Sequence, residues 1–262
     1  MKTMRILGIC VALAMLAGTV WAAPYVVLND GKQITGTAIR AQPNGDITLM
    51  TDMGSRTFPK GSYQRAVADK PAEIDQAAAA IKAQKYDAAK SLLEGVIAKY
   101  RHLGWDVEAA KLLGQALLAK GDAEGAVKAY EQLFQLSPAE KQNADSAWGM
   151  RTAMLKAKQY PALLRQLDAV AASGSRTDAA RAQTMRGDIQ LDQNNVELAA
   201  LDYLRTAILF ADVRDPMIMG EATYKAAAAL EQLRDPRAKD MYKKVVNEYG
   251  SSPYAAQARG KM

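Results

Sequence analysis

The chain has 262 residues, 49% of them hydrophobic, with one cysteine, one histidine and a formal net charge of +6. A single histidine excludes paired-histidine metal sites, and a single cysteine excludes a disulfide within the chain. A charge excess this thin, spread over this length, gives no basic footprint for nucleic acid.

Residues 1–22 read as a secretory signal peptide. Lys2 and Arg5 precede an apolar run from Ile6 to Val20, and small residues follow, with the cut expected after Ala22 and with Val20 and Ala22 in the recognition subsites. The run is short for a hydrocarbon core of about 30 Å, which disfavours the alternative of a retained amino-terminal anchor. Leu7-Gly8-Ile9-Cys10 loosely resembles a lipobox, but Ile9 is too large for the position before the cysteine, and the apolar region follows Cys10 where it should precede it. Cleavage removes Cys10, Lys2 and Arg5, so the exported chain has no cysteine and a charge excess of four. No second apolar run approaches the length of a span, so no stable membrane insertion is expected of it. The expected location is the periplasm or cell envelope of a bacterium.

Residues 23–70 form a small β module. Short β-branched stretches, Tyr25 to Leu28, Ile34 to Ile39, Ile47 to Met50 and Arg56 to Phe58, alternate with the turn sequences Asn29-Asp30-Gly31, Pro43-Asn44-Gly45-Asp46, Asp52-Met53-Gly54-Ser55 and Pro59-Lys60-Gly61. Asn-Gly and Asp-Gly supply the positive φ that tight hairpins need, so four or five antiparallel strands are predicted, curled into a partly open barrel. The opening Val26 to Gly31, followed by Gly36 in the next strand, loosely resembles Sm-like and SH3-like barrels.

Residues 71–262 change to Ala-rich sequence of period near 3.6, helical to the end. Aligning the residue that opens each second helix, Ala89, Ala126, Leu163, Ala199 and Ala238, gives spacings of 37, 37, 36 and 39. Such recurrence predicts a two-helix unit stacked about five times into an α-solenoid, so the fold class is mainly α with a small antiparallel β-barrel-like module in front. Leu113-Gly114, Leu117, Lys120-Gly121-Asp122, Ala126, Tyr130 and Pro138 stand at the relative positions of the tetratricopeptide motif, and the chain resembles that family. Gly187, Ala199 and Tyr203 repeat the pattern, as do Ala226, Ala238 and Tyr242. The first unit (Ala77, Ala89) and the third (Ala147, Leu163) are degenerate, and the longer spacing is assigned to the loops Ser137 to Asn143 and Asp212 to Pro216. Residues 241–258 further resemble the repeats of bacterial envelope proteins, namely the Tol-Pal cell-division coordinator and the outer-membrane assembly lipoproteins.

No catalytic residue, cofactor site or metal site is assigned. His102 falls in a turn between helices, the Asp and Glu residues mark helix starts and solvated faces, as with Asp87, Asp122 and Asp235, and no phosphate-cradling glycine pattern occurs. The tetratricopeptide resemblance implies a concave face lined by the first helix of each unit. Its groove positions fall on Lys111, Gln115 and Leu118, then on Trp148, Thr152 and Leu155, then on Arg181, Thr184 and Asp188. Trp148 has two readings, an amphipathic anchor for a partner or a side chain packed between units. Met150, Met154, Met217, Met219 and Met241 fit interior gap-filling better than an adaptable surface.

The function expected is an exported, non-catalytic scaffold or adaptor that binds envelope proteins, without nucleic acid. The alternative is a cell-wall or polysaccharide-binding accessory, or a hydrolase, acting through the β module.

Overall fold

Alternation of apolar and polar residues after Ala23 produces six short strands: β1 (Tyr25–Leu28), β2 (Gln33–Thr35), β3 (Ala38–Ala41), β4 (Ile47–Thr51), β5 (Gly54–Phe58) and β6 (Tyr63–Val67). They come from a computed structural model that describes residues 23–262, so the expected signal peptide lies outside the described residues. The strands form two antiparallel sheets, ordered β2-β1-β6 and β3-β4-β5. The expected barrel is therefore not closed.

Gly36 is the reason one predicted strand becomes two. Its N–H donates to Pro24 O (2.9 Å) in the first sheet, while the N–H of Thr37 donates to Met50 O (2.7 Å) in the second. The chain crosses between sheets at this point, and a Cβ on residue 36 would sit 2.2 Å from Met50 O. Strand β6 escapes sequence reading because Gln64 and Arg65 at its centre are exposed and blur the alternation.

The chain divides into two compact units, the first ending at Ala110 and the second beginning at Lys111. In the first, Val26, Ile47, Leu49, Phe58 and Ala66 share a core with Leu103, which follows α2 (Tyr86–Lys99). The indole N–H of Trp105, the first residue of α3 (Trp105–Lys120), donates to Ala68 O at 2.8 Å, and Ala68 N donates to Leu103 O at 3.2 Å. The β module and the turn between α2 and α3 are thus one packed body. Helix α1 (Ala72–Lys82) packs on α2.

In the second unit the helices are α4 (Ala123–Leu136), α5 (Ala144–Lys156), α6 (Tyr160–Ser173), α7 (Arg176–Asp192), α8 (Val196–Leu209), α9 (Pro216–Gln232), α10 (Arg237–Glu248) and α11 (Pro253–Arg259). Consecutive helices pack on each other from α7 through α11. Ala126, Leu163 and Ala199 lie at the fourth residue of α4, α6 and α8 and are fully buried, as is Ala89 at the fourth residue of α2. A small residue on the first helix meets an aromatic ring on the second: a Cβ at Gly114 would lie 2.9 Å from the Tyr130 ring, and one at Gly187 would lie 2.4 Å from the Tyr203 ring.

Each hairpin turn reverses through one residue in the left-handed region: Gln84, Gly121, Lys158, Asn194 and Arg234. This conformation ends a helix by satisfying its last carbonyls, as in Lys85 N to Ala80 O at 2.8 Å. Only the Gly121 turn uses the residue type that adopts it without steric cost. The long repeat period has two sources. One is the expected insert, where a 3-10 turn (Pro138–Lys141) occupies the loop before α5, and the other is the 17-residue length of α7 and α9.

Candidate binding surface on the first helices

Helix α5 is capped by Asn143, whose side chain accepts from Ser146 N at 3.2 Å, and it carries Trp148 one turn in. Trp148 is 3% exposed. Two guanidinium groups approach its ring, with Cζ of Arg181 at 4.4 Å and Cζ of Arg151 at 4.8 Å from the ring centroid. The indole N–H donates to Asp178 Oδ1 at 3.0 Å, and Thr152 Oγ1 donates back to the Trp148 carbonyl at 2.9 Å. Trp148 thus joins α5 to the start of α7, the second of its two sequence readings, and Arg181 covers it from α7.

Asp178 is the electrostatic pivot. Ser175, which caps α7, donates to it at 2.7 Å. That hydrogen bond, the one from Trp148, and the charges of Arg151 and Arg181 together outweigh partial burial, so its carboxyl stays below the ordinary range. Burial lowers the pKa of Arg151, with Asp178 opposing and Arg181 reinforcing the shift. A guanidinium starts so high that it remains charged. Beside this cluster, between α5 and α6, lies a cavity of about 380 Å³ whose lining includes Lys141, Ala147, Trp148, Arg151, Val170 and Asp178.

A second polar cluster gathers further along. Asp188 accepts from Tyr203 Oη at 2.8 Å and from Lys225 Nζ at 2.8 Å, and Lys225 also bonds Glu221 at 2.5 Å. Burial works against the Lys225 ammonium, but Asp188 and Glu221 prevail and raise its pKa. Burial first and the Asp188 carboxylate second push the Tyr203 phenol far above its usual value. Asp188 therefore serves a network inside the unit.

The remaining groove candidates are scattered. Lys111 approaches Glu140 at 4.0 Å, and Glu140 also accepts from Ser146 Oγ at 2.5 Å. Gln115 is exposed on α3, and Leu118 is half-buried. Thr184, expected on the groove, corrects to the interior: it is 4% exposed, and its hydroxyl donates to Ala180 O and to Thr206 Oγ1 on α8. A polar residue on a helix facing another helix finds its partners there, and the groove position is lost to packing. Of the methionines, Met150, Met154 and Met219 are buried, whereas Met217 is 52% exposed.

Sequence reading overlooks Arg151, Asp178, Glu221 and Lys225. The signal for Arg151 was present: twelve residues before Leu163, it occupies the position held by Ala77, Gly114, Gly187 and Ala226 in the other units. His102 stands in the turn between α2 and α3 with φ of 67°, and its backbone N–H donates to Asp106 Oδ2 at 2.9 Å. Among the described residues no three His, Cys, Asp or Glu side chains gather as metal ligands. No helix of the described residues is long and apolar enough to cross a membrane.

Comparison with known proteins finds a tetratricopeptide repeat over residues 221–252, which takes in most of α9 and all of α10. No curated protein matches the chain. Solved structures similar to it include MamA from residue 41 to its end, from Desulfovibrio magneticus RS-1, at 20% identity and a TM-score of 0.48, covering 69% of this chain and 94% of that one. The ArsTM double mutant of MamA from RS-1 gives the same figures.

Proposed function

We propose that the chain is an exported, non-catalytic scaffold of the bacterial periplasm or envelope that binds other proteins through the first helices of its repeats. The tetratricopeptide repeat at residues 221–252, set within successive helix hairpins, is the observation that carries this reading. Helix pairs of this type hold one another by their buried faces and leave the outer face of each first helix to a partner. The resemblance of residues 241–258 to envelope repeats and the signal-like residues 1–22 supply the compartment. Gln115 and Arg181 are the sequence-predicted positions with exposed side chains, and they are assigned to the contact surface.

The test is fractionation of cells that express the chain with a carboxyl-terminal tag, followed by amino-terminal sequencing and native cross-linking. A periplasmic product that begins at Ala23 and gives discrete adducts is expected. A cytoplasmic product that retains Met1 would remove the export reading, and absence of adducts at every cross-linker length would remove the scaffold.

A further inference from the structure

Helix α8 turns an apolar stripe to solvent. Leu198 is 50% exposed, Leu201 48%, Ile208 63% and Leu209 61%. In the register of Ala89, Ala126, Leu163, Ala199 and Ala238, the residue two places on is Ser91, Lys128, Arg165 and Asp240 in the other hairpins and Leu201 in this one. Nine places on, the others carry Ala98, Gln135, Ala172 and Asn247, where this hairpin carries Ile208. These counterparts are all exposed, so hairpin packing does not require a large apolar residue at either point. The four aliphatic side chains make a patch on the order of 400 Å², a size that marks contact surfaces on soluble proteins.

The spacing shows what the patch fits. Leu198, Leu201, Arg205 and Ile208 follow one another in steps of three, four and three residues, the seam of a two-helix coiled coil. Set antiparallel to itself about a two-fold axis near residue 203, this seam is self-complementary. Leu198 meets Ile208 of the second copy, and Leu201 meets the methylene stem of its Arg205. Arg205 brings no unpaired charge to the seam, because it is bonded to Asp202 of its own helix at 2.7 Å. The ends match as well. Glu197, exposed in the first turn of α8, comes opposite the end of α8 in the second copy, where Arg176 donates to the Leu209 carbonyl and pairs with Asp212.

We propose that the outer face of α8 is a self-docking surface through which two copies of the chain pair antiparallel. A specific dimer buries about 800 Å² on each partner, of which the four aliphatic side chains supply about half. Val196, Leu204 and Phe210, half-buried along the same helix, widen the contact. An interface of this modest size sets the expected Kd on the order of 10 μM. The pairing uses a second helix and leaves the first helices free, so it stands apart from the scaffold reading.

Sedimentation equilibrium of the exported chain over a concentration series is the first test, and a monomer–dimer equilibrium is expected. Leu201→Lys and Ile208→Gln introduce the residue types that Lys128 and Gln135 provide at the same register, so both variants should fold and melt like the wild type. Each should dimerise at least tenfold more weakly. A wild type that stays monomeric up to about 1 mM, or variants that dimerise with unchanged affinity, would overturn the proposal. Disulfide trapping reads the orientation, since the exported chain has no cysteine of its own. A mixture of Leu198→Cys and Ile208→Cys proteins should give a linked heterodimer on oxidation. Either protein alone should not, because like positions lie about 15 Å apart along the paired helices, beyond the reach of a disulfide. Linked homodimers from each protein alone, with none from the mixture, would overturn the antiparallel pairing. Vesicles of phosphatidylethanolamine and phosphatidylglycerol test the competing occupant: binding by a monomeric wild type that Leu201→Lys abolishes would give the face to a membrane surface and overturn self-docking.

Discussion

Gly187→Ala tests whether the hairpin packing has been understood. An added Cβ would stand 2.4 Å from Tyr203 Cε1 and 2.6 Å from its Cδ1. The ring has little room to retreat, being 1% exposed and tied through its hydroxyl to Asp188 at 2.8 Å. Helix propensity alone would favour alanine by about 1 kcal/mol, while overpacking a fixed core costs about 1–3 kcal/mol and more when the contact is this short. The clash should win, with a net loss of about 1–2 kcal/mol. Gly95→Ala is the control: Gly95 lies in α2, where a Cβ meets nothing within 4 Å, and the variant should gain up to about 1 kcal/mol. Urea unfolding followed by circular dichroism and tryptophan fluorescence reads both, with Trp148 reporting on the second unit and Trp105 on the first. A Gly187→Ala protein as stable as the wild type would refute the packing argument.

Three further outcomes follow from the polar contacts. Lys225→Met leaves Asp188 and Glu221 without their shared ammonium, and it should lower the stability of the second unit by about 2–4 kcal/mol in the same assay, discounted from the fully buried case because the side chain is 26% exposed. The raised pKa of Lys225 means that its stabilisation is complete below the ordinary lysine value of about 10.4 and disappears as pH climbs through the higher native value. Trp105→Phe removes the donor to Ala68 O and should cost the first unit about 1–2 kcal/mol, read by circular dichroism because the variant loses that unit's fluorophore, while the Trp148 fluorescence transition stays unchanged. Asp235, which accepts from the Arg237 side chain and backbone, has its carboxyl lowered to about 2. Its contribution should therefore be whole above the ordinary aspartate value near 3.9 and vanish as pH falls toward 2. A carboxyl NMR titration checks this, and an Asp235 midpoint at the ordinary value in the wild type would contradict it.

The helical half was legible in the sequence because its packing repeats. The same offsets of twelve and sixteen residues link Gly114 to Ala126 and Tyr130, and Gly187 to Ala199 and Tyr203, and close helix approach demands those residue types. The β module was legible only in part. Turn residues mark where strands end, but the crossing at Gly36 depends on which sheet each neighbouring N–H joins, and that is decided by Pro24 and Met50 at a distance along the chain. The surface was least legible. Whether Thr184 faces a partner or Thr206 depends on how α7 leans against α8, and whether Trp148 anchors or packs depends on Asp178, thirty residues away. Arg151 carried a signal that surfaces only when the degenerate third unit is held to the register of the others.

Site-specific photo-crosslinking in the native envelope tests the central claim most directly. A photoreactive residue would be placed singly at Gln115 and at Arg181 on first helices, at Lys239 on α10, and at Met53, which is 99% exposed in the β module. Discrete adducts from Gln115 or Arg181, with none from Lys239, are expected of a scaffold that works through its first helices. Adducts from Met53 alone would contradict that account and assign the interaction to the β module.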